Sequence, residues 1–143
     1  MTEITIKILG PDDGGLLDQV ADGVFDNPVV AAHRDRFLAT ENHVMVIARA
    51  GDLVIGMASG VYYCHPDKPE TLWINEVGTG DAWLRRGVAR RTMTALLDHA
   101  KARGVIEAWL GTEPDNIPAR RLYQGMDPEE EAEFILYEFD LEP

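Results

Sequence analysis

The chain has a single cysteine, Cys64, which excludes an intramolecular disulfide and any cysteine-built metal site. Cys64 therefore reads as an ordinary strand residue. Positive charge is also scarce, with 13 Lys and Arg against 25 Asp and Glu and a formal net charge of −12. A general nucleic-acid binder needs a broad basic surface to displace counterions from its polyanion, so no nucleic-acid partner is expected. An acidic protein suits cationic substrates instead. The histidines His33, His43, His65 and His99 show no ligand spacing of the H-x-x-x-H kind, and no metal is expected. No apolar run approaches the length of a membrane span, and Met1 to Leu9 lacks the basic stretch followed by an apolar one that marks a secretory leader. The expected location is cytoplasmic, without a membrane partner. Repeats and low-complexity tracts are absent too. With 143 residues, 45% of them apolar, the expectation is one domain over 1–143 around a single core.

What positive charge there is gathers in one region. Eight of the 13 basic residues lie between Arg85 and Arg121, and the densest stretch is Trp83-Leu84-Arg85-Arg86-Gly87-Val88-Ala89-Arg90-Arg91. It sits between an apolar run ending near Thr79 and an amphipathic run starting near Val88, so it reads as a strand, a tight turn and a helix that opens on arginines. Positive side chains in a first helical turn oppose the macrodipole unless an anion is bound there. No Ser, Thr, Asp or Asn stands at Leu84 to Gly87 to cap the first amides. Uncapped amides beside gathered arginines describe a phosphate site. A solvated helix face would explain the arginines without any ligand.

Around this stretch the periodicities alternate between two and 3.6. Thr2 to Leu9 has Ile4, Ile6 and Ile8 on one face, as a half-buried strand does. After the break at Gly10 to Gly15, Leu16, Leu17, Val20, Val24 and Phe25 follow helical spacing. Pro28 opens a second helix to about Ala39, with Asn42 as its stop. His43 to Ala50 and Leu53 to Cys64 form a hairpin across Gly51-Asp52. His65 to Glu70 is a loop and Thr71 to Thr79 a fourth strand. The arginine helix packs through Ala89, Met93, Leu96, Leu97 and Ala100, and Gly104 ends it as a left-handed cap. Val105 to Gly111 reads as a fifth strand, Ile117 to Gln124 as a short helix with Pro118 in its first turn, and Phe134 to Leu141 as a closing strand after an acidic connection. The expected fold is mixed α+β in the order β-α-α-β-β-β-α-β-α-β. Its crossover through the arginine helix makes strands four and five parallel and splayed.

Leu84-Arg85-Arg86-Gly87-Val88-Ala89 after the fourth strand, and Asn116-Ile117-Pro118-Ala119-Arg120-Arg121-Leu122-Tyr123 after the fifth, resemble the two motifs of the GNAT superfamily of acyl-CoA-dependent N-acetyltransferases. The first follows Gln/Arg-x-x-Gly-x-Gly/Ala, with Leu84 where Gln or Arg is usual. The second follows Asn-x-x-Ala-x-x-x-Tyr in full. Val24 to Pro28 and Asn75 to Thr79 also look like the aminoglycoside 3-N-acetyltransferase branch. The resemblance implies acetyl-CoA as co-substrate. Val77, Gly78 and Thr79 would pair with its pantetheine arm, and the amides of Leu84, Arg85, Arg86, Gly87, Val88 and Ala89 would hold the pyrophosphate. Gly87 lets the backbone approach phosphate oxygens closely. Arg86 and Arg90, four apart, share a helix face toward the phosphates, and Asn116 either bonds the pantetheine or caps its helix.

Acyl transfer to an amine needs a base for the ammonium and a proton for the departing thiolate. Glu76 is the candidate base, since it precedes Val77 in the strand beside the expected thioester. Alternation sets Leu72, Ile74 and Glu76 on one face, an apolar setting that favours the protonated carboxyl. A carboxylate that only faces solvent or binds a cation is the competing explanation. Tyr123 is the candidate acid: the resemblance implies that its hydroxyl lies near the sulfur, and a phenol near pKa 10 stays protonated at neutral pH. A packing tyrosine on a short helix is the competing explanation. Asp26, Glu70, Glu113, Asp115 and the run Glu129 to Glu131 would attract a polycation, or form a solvated surface, and none is taken as a site residue. The resulting expectation is an N-acetyltransferase that moves acetyl to a small cationic amine, aminoglycoside- or polyamine-like, in a direct ternary complex. The alternatives are a protein N-acetyltransferase and a non-catalytic acyl-CoA-binding module. A homodimer is compatible with the resemblance.

Overall fold

The computed structural model describes residues 2–143. The chain forms two compact units, Met1–Leu110 and Gly111–Pro143.

The first unit is built on a five-stranded sheet in the order β1-β2-β3-β4-β5. Its strands are β1 (Ile4–Ile8), β2 (His43–Ala50), β3 (Leu53–His65), β4 (Lys68–Thr79) and β5 (Ala108–Trp109). The first four pair antiparallel and β4 pairs with β5 in parallel, so the mixed α+β sheet and its parallel crossover are as the sequence implies. Gly51 turns the β2–β3 hairpin at φ +59. The β3–β4 connection is tighter than expected: His65 pairs with Lys68, so β4 begins where a loop was read.

Helix α1 (Ala31–Ala39) and a 3₁₀ turn at Gly14–Leu17 lie on one face of the sheet. There Leu17, Val24, Met45, Ile47, Val54 and Met57 form a buried cluster. Helix α2 (Val88–Ala102) covers the other face, where Val88 meets Ala48 and Ile55. Gly104, at φ +87, ends α2: its N–H reaches Lys101 O at 3.0 Å and Val105 N–H reaches Ala100 O at 3.0 Å. These two bonds close a Schellman motif and satisfy carbonyls that the helix end leaves open.

The helical spacing of Leu16 to Phe25 does not produce a helix. Val54 N–H donates to Gln19 O at 2.9 Å and Ala21 N–H to Val54 O at 2.8 Å, so this segment lies along β3 as a short parallel bridge. Backbone groups bonded to a strand are not available to an i−4 ladder. Helix α1 starts at Ala31 rather than at Pro28, and Asn42 stands in the left-handed region at φ +75 where a stop was expected.

The second unit contains α3 (Ile117–Gln124) and, after it, no regular structure among the described residues. Inside it Arg120 bonds Pro114 O at 2.9 Å and Gln124 bonds Glu131 at 2.9 Å. Phe134 to Leu141 does not form the expected closing strand, and its large side chains are exposed. Alternation alone makes no strand without a ladder partner. No strand of the sheet pairs with these residues, and the expected fifth strand, Val105 to Gly111, shrinks to Ala108–Trp109.

Candidate functional site

The β5 ladder touches β4 only at Leu72 and Trp73. Beyond that point β4 runs on through Val77, Gly78 and Thr79, half-buried, with no further β5 partner. A strand edge of this kind offers N–H and C=O groups to an extended ligand.

A tight turn carries the chain from this edge to α2. Gly80 N–H donates to Ile55 O at 2.8 Å, and Trp83 N–H to Gly80 O at 2.8 Å. Leu84 is exposed and extended, Arg85 takes φ +62, and Gly87, the N-cap residue of α2, takes φ +74. A left-handed non-glycine residue costs about 1–2 kcal/mol, and such strain collects at ligand loops. No side chain caps α2. A Cβ built on Gly87 would meet nothing within 4 Å, so the space before the helix start is open. Val88 is 1% exposed and anchors the turn to the core, with its Cγ1 against Gly56. Arg86 lies over the Trp83 ring, 4.9 Å from its centroid. Arg85, Arg86 and Arg90 are exposed at this corner, with Ala89 half-buried between them. Arg91 turns away and bonds Ile4 O at 3.1 Å. The structure thus brings Val77 to Thr79 and Leu84 to Arg90 to one corner.

Glu76 sits differently from its expected position. On β3, Ser59 pairs with Glu76 but Gly60 pairs with Ile74, so Asn75 is an extra residue in β4. This bulge reverses the alternation. Glu76 is exposed on the face of Ser59 and Met57, not beside Leu72 and Ile74, so the apolar neighbours assigned to it are absent. Gly78 shares this face, and a Cβ there would fall 2.0 Å from Val24 O. The loop before α1 therefore packs directly on β4 next to Glu76.

That loop borders a cleft of about 600 Å³ lined in part by Asp18, Asp22, Phe25, Asp26 and Arg34. Arg34 pairs with Asp18 at 3.3 Å, whereas Asp22 and Asp26 have no cationic partner among the described residues. In the sequence Asp26 stands out only within a general acidic set and the Val24 to Pro28 resemblance, and Asp22 not at all, because an irregular loop carries no periodicity to reveal its lining. Glu70 belongs elsewhere: Arg103 bonds it at 2.6 Å and holds its carboxyl below the usual range.

Asn116 and Tyr123 stand on α3 in the second unit. Asn116 caps α3, its Oδ1 accepting from Ala119 N–H at 3.3 Å. Burial raises the Tyr123 phenol above its ordinary value of 10.0. Among the described residues no three His, Cys, Asp or Glu side chains gather to hold a metal, and no helix is long and apolar enough to cross a membrane.

The architecture recurs in known proteins. An aminoglycoside acetyltransferase, meta-AAC0020 from an uncultured soil metagenomic sample, solved with trehalose, superposes with a TM-score of 0.86 over 97% of each chain at 15% identity. AAC(6')-Iy, solved with a bisubstrate analog, CoA-S-monomethyl-acetylneamine, does so with a TM-score of 0.76 at 18% identity, over 97% of this chain and 99% of that one. At such identities the likeness is one of fold. In sequence, the N-alpha-acetyltransferase RimI of Mycobacterium tuberculosis (strain ATCC 25618 / H37Rv) is 32% identical over 103 residues. That match covers 72% of this chain and spans 63% of RimI's own length. The profile of the acetyltransferase (GNAT) family matches residues 17–126, from the loop under the cleft through β4, the arginine turn and α3. With that match taking in the strand edge, the uncapped helix start and the capped helix alike, the chain belongs to the acetyltransferase (GNAT) family.

Proposed function

We propose that this chain is an acetyl-CoA-dependent N-acetyltransferase, one domain over 1–143, that acetylates a small cationic amine by direct transfer in a ternary complex. The observation that carries the reading is the corner where the open β4 edge meets an uncapped, arginine-flanked helix start. That corner fits coenzyme A in both of its parts. The edge at Val77 to Thr79 would hold the pantetheine amides, and the turn from Leu84 to Ala89, with Arg86 and Arg90, would hold the pyrophosphate. Because Leu84 lacks a hydrogen-bonding side chain, this grip relies on backbone amides and on the freedom of Gly87. When bound, acetyl-CoA supplies an activated acetyl thioester.

The chain's own residues supply the rest. Asp22 and Asp26 draw a cationic amine into the cleft, in keeping with the net charge of −12. Glu76, exposed on the same face, accepts the ammonium proton directly or through a water. Tyr123, its phenol held protonated by burial, carries the proton for the leaving sulfur. Asn116, already engaged as a cap, contributes chiefly by fixing α3.

Kinetics with acetyl-CoA against aminoglycosides, polyamines and peptide N-termini test this reading. Thiol release is expected with the polycations. Glu76→Gln is expected to lower kcat about 100-fold with the acetyl-CoA Kd unchanged, and an unchanged kcat would remove Glu76 from the mechanism. The identity to RimI favours a second reading, an N-alpha-acetyltransferase acting on protein N-termini, and turnover confined to peptides would establish it. A cytoplasmic location and a homodimer belong to the same proposal.

A further inference from the structure

A second recess on the Glu76 face of the sheet has no part in the chemistry above. On β3, Ser59, Val61 and Tyr63 point to one side, and their β4 partners are Glu76, Trp73 and Thr71. The bulge at Asn75 therefore sets Thr71, Trp73 and Glu76 on a common face. Trp109 of β5 joins them: its ring centroid lies 4.0 Å from that of Trp73, and Tyr63 meets it edge-on at 6.3 Å. The result is a groove of about 340 Å³ whose lining includes Tyr63, Thr71, Glu107 and Trp109.

Three features of this groove point to a ligand. Trp109 is 43% exposed, so part of its indole is left open to solvent. Thr71 is 9% exposed, and its Oγ1 is buried without any hydrogen-bond partner. A buried hydroxyl in that state needs a partner, and a turn of the Thr71 side chain toward the groove it lines would let one in. The charges on the rim are uneven. Lys68 Nζ is held by Asp67 at 2.9 Å and 3.0 Å, and His65 also bonds Asp67, so both basic groups are engaged. The Glu107 carboxylate has no partner among the described residues.

An indole face, a hydroxyl oxygen and a free carboxylate together suit a cation. Trp is the strongest cation–π partner among the side chains, and a carboxylate strengthens an ammonium hydrogen bond. An anion would face Glu107, and a purely apolar group would leave Thr71 and Glu107 unsatisfied. We propose that this groove holds the second, non-reacting ammonium of a di- or polyamine acceptor whose first amine lies at Glu76. Because Asn75 is an extra residue, Trp73 and Glu76 face β3 residues only two apart, Val61 and Ser59, so the two ammonium positions are separated by about 7 Å along β4. The groove thus selects acceptors by the spacing of their charges. This inference rests on the acetyltransferase reading for the role of Glu76, but the groove itself can be tested without turnover.

Spermidine and n-butylamine serve as probes on the full chain, with Trp109→Ala and the near-isosteric Glu107→Gln as variants. Each variant is expected to raise the KM for spermidine about tenfold with kcat within about twofold, and to leave kcat/KM for n-butylamine within about twofold. Calorimetric titration of spermidine is expected to show the same tenfold weakening. If Trp109→Ala does not fold, Glu107→Gln carries the test alone. Equal effects on both amines, or spermidine binding unchanged in the variants, would overturn the groove. If neither amine is acetylated while spermidine still binds through Trp109 and Glu107, the groove stands and the acetyl-transfer reading fails instead.

Discussion

Helix α2 opens on Gly87 with no side chain over its first amides, whereas α3 opens under Asn116, whose Oδ1 accepts from Ala119 N–H at 3.3 Å. The two ends of α2 differ in the same way. Its last turn carries Lys101, which complements the macrodipole, and Gly104 with Val105 closes its carbonyls. Its first turn has exposed arginines and no cap. A helix finished at one end and left open at the other is incomplete where a ligand would finish it. In α3 the cap is internal, and what the helix offers is a side chain, Tyr123.

The comparison breaks most sharply if α2 is given a cap of its own. Gly87→Asp places a carboxylate where Asn116 stands on α3, and Asp tolerates the left-handed region better than most residues. The expected outcome is a melting temperature within a few degrees of the parent and an acetyl-CoA Kd about 100-fold weaker, read by calorimetry, since the new carboxylate occupies the amides and repels the pyrophosphate. An unchanged Kd would mean that the helix start binds no phosphate. Tyr123→Phe probes the other helix. Because burial raises the phenol above 10.0, its proton stays in place through neutral pH and is lost only as pH rises through that higher value. The parent is therefore expected to lose activity only above about pH 10, and the variant to show a kcat 10- to 100-fold lower without that alkaline fall. Any stability the neutral phenol contributes follows the same sign, present below pH 10 and lost above it. Arg86→Ala comes next. It removes the side chain over Trp83 and should weaken acetyl-CoA about tenfold while flattening the salt dependence of binding.

How much of this could be read from the chain follows from how local each feature is. Gly87 and its arginines, Asn116 with Pro118, and the Gly104 stop act within a few residues, and the structure has the helix starts and the stop where their residue types imply. The position of Glu76 depends on one inserted residue. A period-two pattern cannot show that Asn75 is unpaired, and a single bulge moves every side chain beyond it to the other face. The segment Leu16 to Phe25 has helical spacing, but its bonding partner is Val54, more than thirty residues away in sequence. Phe134 to Leu141 alternates like a strand but has no ladder partner, and alternation alone cannot show whether a partner is met. The acidic cleft escaped notice for the same reason: Asp22 and Asp26 line it only because the loop is bound to β3 and pressed on Gly78. Helix ends are written locally, and faces of a sheet are not.

Asn116→Ala gives the smallest effect and the finest discrimination between the two helix starts. Removing the cap leaves Ala119 N–H without its side-chain acceptor and should destabilise α3 by about 1 kcal/mol. If Asn116 only caps, Asn116→Asp restores that stability, because Asp caps equally well, and acetyl-CoA affinity stays within about threefold throughout. If the side-chain amide also donates to pantetheine, Asp cannot replace it. Stability then returns in Asn116→Asp while affinity does not. Thermal unfolding read beside calorimetry separates the two outcomes. The first would make α3 a helix complete in itself, and the second would make it, like α2, a helix that its ligand helps to finish.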